Sequence, residues 1–187
     1  MIPGANYARR KFVRHHCSFA SKYIRFEYIT KSLRFFASMN YKLTKYKLPI
    51  KWSINFGRIF HHKIIALSKA NYTDGSAYDY PVRKYFEIPA QKSLLLCSNY
   101  PGIEDRGYID GKTHIAVDYK EVHKLIRKID FNSKSINEII QNGFNTTLKL
   151  HNSVARANQL IKAIELFSSG QLKYAYFKNG EYCYFRG

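Results

Sequence analysis

The stretch "SLLLCS", residues 93 to 98, sets the narrowest limits on what this chain can fold into. Leu94, Leu95, Leu96 and Cys97 leave no polar face, so a strand here must be covered on both sides. A sheet covered on both faces needs helices flanking it, and the neighbouring segments supply the pattern. "THIAV" (113 to 117) reads as a second buried strand, and "KEVHKLIRKI" places Val122, Leu125, Ile126 and Ile129 on one helical face. Short apolar runs alternating with helical ones predict an α/β domain with a parallel sheet flanked by helices.

The rest of the chain follows the same alternation. "RFEYIT" (25 to 30) fits a strand after a basic helix candidate, "YARRKFVRHHCSFASKY", and "KIIALS" (63 to 68) fits another strand. A loop, "NYTDGSAYDY", leads to a helix from about Pro81, since proline suits the first helical position. Helices follow near 134 to 150 and 153 to 167, with Ser133 and Ser153 placed to cap them. Residues 31 to 55 are basic and aromatic without a clean period and read as an irregular excursion. "YAYFKNGEYCYF" (174 to 185) is two alternating runs around Asn179-Gly180, a strong hairpin signal. Its aromatics fit the buried face of a β-ribbon better than a platform for a base or sugar. The division is thus one domain over 1–168 and a hairpin tail over 169–187. Pro3-Gly4 leaves little chain for a first strand, so the domain is expected to begin at an internal junction.

Charge bounds the partners. Lys and Arg number 31 against 13 Asp and Glu, a formal net of +18, and residues 1 to 69 hold fifteen of the cations and one acid, Glu27. Such a field attracts nucleotide phosphates, nucleic acid or an anionic membrane surface. Cys17, Cys97 and Cys183 are far apart, which fits no disulfide framework and points to a reducing, cytoplasmic compartment. No signal peptide is readable in "MIPGANYARRKF", and the apolar runs are too short to span a bilayer. His15-His16 and His61-His62 are adjacent pairs, which point in different directions on a helix and offer no zinc pattern.

Glu87 is the residue that asks for a role. It follows the loop containing Gly75 and the start of the helix near Pro81, and it lies eight positions after Asp79. A helix N-terminus suits phosphate, glycine lets the backbone come close, and a carboxylate about two turns on can accept hydrogen bonds from a ribose diol. The structural alternative is a solvated carboxylate, or one paired with Arg83 or Lys84.

"RKYFEIPAQKSLLLCS" resembles the "R-x-F-E-I-P-A-C-G … L-L" segment of group 1 glycosyltransferases of the GT-B fold, closest to the spore-maturation type. "IPGANYARR", "YIDGKTHIAVDYKEVHKLIRKI" and "QNGFNTTLKLHNSVARANQLI" resemble further motifs of that group, in order, over most of residues 1 to 165. The resemblance implies a Rossmann-like domain, the donor-binding C-terminal half of a two-domain enzyme. It implies Glu87 on the ribose of a nucleoside-diphosphate sugar and Asp79 facing the sugar, where the family's usual residue is Glu. Lys84 and Arg10 would neutralise the diphosphate, and Tyr80, Arg83 and Gly75 would complete the site. His151 falls on a family position and reads as structural, with Arg156 beside it. The family's "A-C-G" has become Ala90-Gln91-Lys92, so the small residue of the turn after the helix is lost. The resemblance implies neither a bound metal nor a cofactor besides the sugar nucleotide, and an N-terminal domain, whether on this chain or another, that supplies acceptor contacts and the catalytic base. Two rival readings stand beside this one. The first is a basic nucleic-acid-binding module, from "YARRKFVRHH" and its interleaved aromatics. The second is a decayed transferase half without activity.

Overall fold

The computed structural model describes residues 9, 12–13, 15–17, 62–63, 65–75 and 80–186. The strand predicted over 25 to 30 and the excursion over 31 to 55 lie outside them. The central sheet has three strands, β1 (Ala70–Thr73), β2 (Leu94–Cys97) and β3 (Ile115–Ala116), in the order β1-β2-β3 with both pairings parallel. All four residues of β2 are buried, as the apolar run predicts. Leu95 and Cys97 join one core layer with Ile65, Tyr85, Ile88, Tyr100, Ile103 and Tyr108. Leu94 and Leu96 point the other way, against Val13, Cys17, Val122 and Ile136. A strand buried on both faces is what forces this two-layer arrangement.

Helix α1 (Lys84–Ala90) links β1 to β2, and α2 (Val122–Lys128), α3 (Lys134–Leu150) and α4 (Ser153–Ser168) follow β3. A short 3-10 turn, Glu104–Arg106, lies between β2 and β3. The chain ends in an antiparallel hairpin of β4 (Leu172–Lys178) and β5 (Glu181–Arg186). Asn179 and Gly180 turn it with φ of 51° and 81°, the two left-handed residues of a tight hairpin.

Several local expectations change. Residues 63 and 65–67 of "KIIALS" are helical, and the strand starts at Ala70 inside the supposed loop. The apolar run was short enough to suit either element, and the parallel register with Leu94–Cys97 decides for 70–73. Pro81 lies outside α1, whose first i→i−4 bond runs from the Glu87 N–H to the Arg83 carbonyl at 3.1 Å. Ser133 caps α3 by accepting from the Ile136 N–H, but α4 is capped by Asn152, whose Oδ1 accepts from Ala155 N–H at 2.7 Å, and not by Ser153. The hairpin aromatics divide between its faces. Phe177, Tyr182 and Tyr184 are half-buried, whereas Tyr174, Tyr176 and Phe185 remain 41 to 50% exposed.

The turn after α1 keeps its geometry without a glycine. Lys92 takes φ of 53°, a left-handed conformation that L-residues adopt at a cost of about 1–2 kcal/mol. Gly143 on α3 is the close-packing glycine of the core: a Cβ there would lie 2.5 Å from the Thr113 carbonyl oxygen and 3.4 Å from Pro89 Cβ.

Candidate functional site

In a parallel α/β sheet, the residues just beyond the carboxyl ends of the strands converge, and ligands bind there. At the end of β1 stands Asp74, 1% exposed. The Ser98 hydroxyl, just past β2, donates to Asp74 Oδ1 at 2.6 Å, and Arg9 Nη1 reaches Oδ2 at 3.2 Å. The Gly75 N–H donates in turn to Ser98 Oγ at 3.4 Å. A buried carboxylate must be paired, and here a guanidinium and a hydroxyl do it. The hydrogen bond to Asp74 and its charge push the Arg9 pKa up. Tyr72 sits close by, its phenol raised first by burial and then by the Asp74 charge. Its hydroxyl is buried and has no hydrogen-bond partner among the described residues. Past β3, Tyr119 packs its ring beneath Arg9 at 5.6 Å.

The second cluster is on α1. Glu87 lies in the first turn, its side chain 15% exposed, and Arg83 Nε meets its Oε1 at 2.6 Å across one turn. The ion pair named as the structural alternative therefore exists, with Arg83 mostly exposed and the carboxylate largely withdrawn from water. Lys84 is half-buried at the helix start, and Tyr80 projects from the approach to it. Gly75 belongs to the Asp74 cluster and is buried there. Asp79 and Arg10 lie outside the described residues.

The sequence reading missed Asp74, Ser98 and Arg9. The available signal is "TDG" directly after β1, which reads as mid-loop when the strand is expected at 63 to 68. His151 is structural as read. Its Nδ1 faces Arg156 Nη2 at 2.7 Å and its Nε2 faces the Arg106 carbonyl oxygen at 2.8 Å. A guanidinium only donates and a carbonyl only accepts, so the ring is neutral with its proton on Nε2. Phe86, Tyr108 and Phe177 enclose it. Burial, followed by the two arginine charges, lowers its pKa to about 4.

A shallow depression of about 330 Å³ lies elsewhere, lined by Ser68, Lys69, Lys92, Asn132 and Asn137. Lys69 precedes β1 and Lys92 precedes β2, so it opens at the amino edge of the sheet, away from the carboxyl-edge groups. Among the described residues, no helix is long and apolar enough to cross a membrane.

A three-stranded parallel sheet flanked by helices defines an α/β Rossmann-like domain, here with paired charges at its carboxyl edge. The family profile described as glycosyl transferase-like matches residues 29–162, and the chain belongs to that family. No curated protein and no solved structure matches the chain.

Proposed function

We propose that this chain binds the nucleoside-diphosphate sugar donor of a glycosyl transfer reaction at the carboxyl edge of its sheet. In this reading it acts as the C-terminal half of a metal-independent GT-B enzyme of the spore-maturation type. The observation that carries the reading is Glu87, a largely buried carboxylate in the first turn of the helix that follows β1, within the segment matched by the family. A ribose diol offers two hydroxyl donors to one carboxylate, and Arg83 holds that carboxylate in place. Lys84, Arg10 and the partly exposed Arg9 neutralise the diphosphate, whose charge grows as the glycosidic bond breaks. Gly75 lends its backbone beside it, Tyr80 borders the base or sugar, and Asp79 faces the sugar. The acceptor is a saccharide, a lipid-linked sugar or a surface glycan. Its contacts and the catalytic base come from the N-terminal half of such an enzyme.

The test is a thermal-shift titration with UDP, GDP, ADP and a mixed oligonucleotide at two salt concentrations, on the wild type and Glu87→Gln. A nucleotide at a hundred times its dissociation constant adds about 2.7 kcal/mol. That is a rise of roughly 5 to 11 °C for a chain of this size. Loss of the rise in Glu87→Gln supports the donor site. Stabilisation by the oligonucleotide alone, vanishing at high salt, would instead make the basic surface the function and the family membership ancestry. No response to any of them would mark a decayed half.

A further inference from the structure

Helix α4 presents its more apolar face to solvent. It has no buried residue. The half-buried side, Ala155, Arg156, Gln159, Ala163 and Leu166, faces the body of the domain, where Tyr184 donates to the Gln159 carbonyl and Arg156 lies over Phe177. On the outer side Val154, Leu160, Ile161, Ile164 and Phe167 are 53 to 73% exposed, with exposed Ala157 among them. At 3.6 residues per turn these six fall within an arc of roughly 140°. The five large side chains expose roughly 100 Å² each, so the stripe reaches about 500 Å², toward the upper end of the largest apolar patch a typical monomer shows, a patch that is often functional.

The spacing of this stripe suits a second copy of the same helix. Reversing the helix about the midpoint between Leu160 and Ile161 maps the set onto itself. Val154 falls on Phe167, Ala157 on Ile164, and Leu160 on Ile161. A second copy of α4 laid antiparallel therefore meets apolar with apolar at every position, with Phe167 opposite Val154, Ile164 opposite Ala157 and Leu160 opposite the like-sized Ile161. We propose that α4 is the contact surface of a homodimer in which two copies pack antiparallel across a two-fold axis. Such an interface is isologous: residue 157 of one copy faces 164 of the other, and the reverse. With its rim, the stripe approaches the roughly 800 Å² per partner of a standard interface. Its charges fit a protein partner better than a lipid surface. The helix carries only Arg156, Lys162 and Glu165, whereas an interfacial membrane helix has a polar face rich in Lys and Arg. This inference is independent of the donor site, since Glu87 lies on α1.

The net charge of +18 on each copy gives the dimer a recognisable signature. The copies repel, so added salt screens the repulsion and strengthens association, while binding to lipid headgroups or nucleic acid weakens with salt. The experiment is sedimentation velocity on the full chain up to about 100 µM at roughly 0.1 and 0.5 M salt. The wild type should dimerise, and more tightly at the higher salt. Ile164→Glu and Ala157→Lys, both at exposed positions, should each keep the wild-type circular dichroism spectrum and weaken association at least about tenfold. The double variant Ala157→Lys/Ile164→Glu should recover much of it, because the new charges face each other across the two-fold. A wild type that stays monomeric at both salts overturns the proposal. Single variants that dimerise like wild type, or a double variant no better than Ile164→Glu, overturn it too. So does a monomer that floats with phosphatidylserine vesicles and loses that binding in Ile164→Glu, which would assign the stripe to a lipid surface.

Discussion

Acidification tests the role of His151 as a neutral structural group. In the folded chain it accepts from Arg156 and donates to the Arg106 carbonyl, and its pKa is about 4. In the unfolded chain the imidazole returns to about 6.5. Between these values the unfolded state holds a proton that the native state refuses, so stability falls as pH drops through the window from 6.5 to 4. Each unit costs about 1.4 kcal/mol, for about 3 kcal/mol over the whole window. That is a large share of a typical 5–15 kcal/mol domain stability. Acid acts on the rest of the chain as well, so the informative quantity is a difference. Urea unfolding should be followed at pH 7, 6, 5 and 4 for the wild type and His151→Gln, whose amide can still donate to Arg106 and never charges. The variant should be less stable at pH 7, having lost the stacking with Tyr108, and the gap should shrink by about 3 kcal/mol by pH 4. A gap that stays constant with pH would show that the ring is not held neutral by its surroundings, and the tautomer argument would fail with it.

Two further substitutions probe the packing. Gly143→Ala should lower stability by about 2 kcal/mol in urea unfolding, because the new Cβ meets the Thr113 backbone oxygen. Alanine's helix propensity, better by about 1 kcal/mol, would predict the opposite sign. Asn152→Ala should cost about 1 kcal/mol, while Ser153→Ala should change stability by less than about 0.5 kcal/mol in the same assay. Equal losses would show that the cap had been assigned to the wrong residue.

Much of the architecture was legible. The continuous run at Leu94–Cys97 can be satisfied only between two layers, and the helical spacing from Val122 onward supplied one of them. Asn179-Gly180 fixed the hairpin because few residue pairs tolerate its left-handed turn. "KIIALS" failed for a physical reason. A short apolar run buries equally well as strand or helix, and only pairing with β2 decides which residues extend. Ser153 failed because two adjacent residues could both cap, and the choice of Asn152 depends on where the chain leaves α3. Part of the candidate site was legible in the same way. Glu87 and Arg83 are one turn apart, so their pairing follows from local geometry.

The Arg9–Asp74–Ser98 cluster is different in kind. Its members are 65 and 24 residues apart in sequence, and no local pattern relates them. The sequence by itself determined the elements whose signals repeat within a few residues: the buried strand, the amphipathic helices, the hairpin and the charge. Only the tertiary structure decided what depends on distant chain meeting. That includes the register that placed β1 at Ala70–Thr73, the desolvation that keeps His151 neutral, and the convergence of Arg9, Asp74 and Ser98 at the sheet's carboxyl edge. Local signals act through backbone geometry, which each short segment carries with it. Burial and pairing belong to the assembled whole.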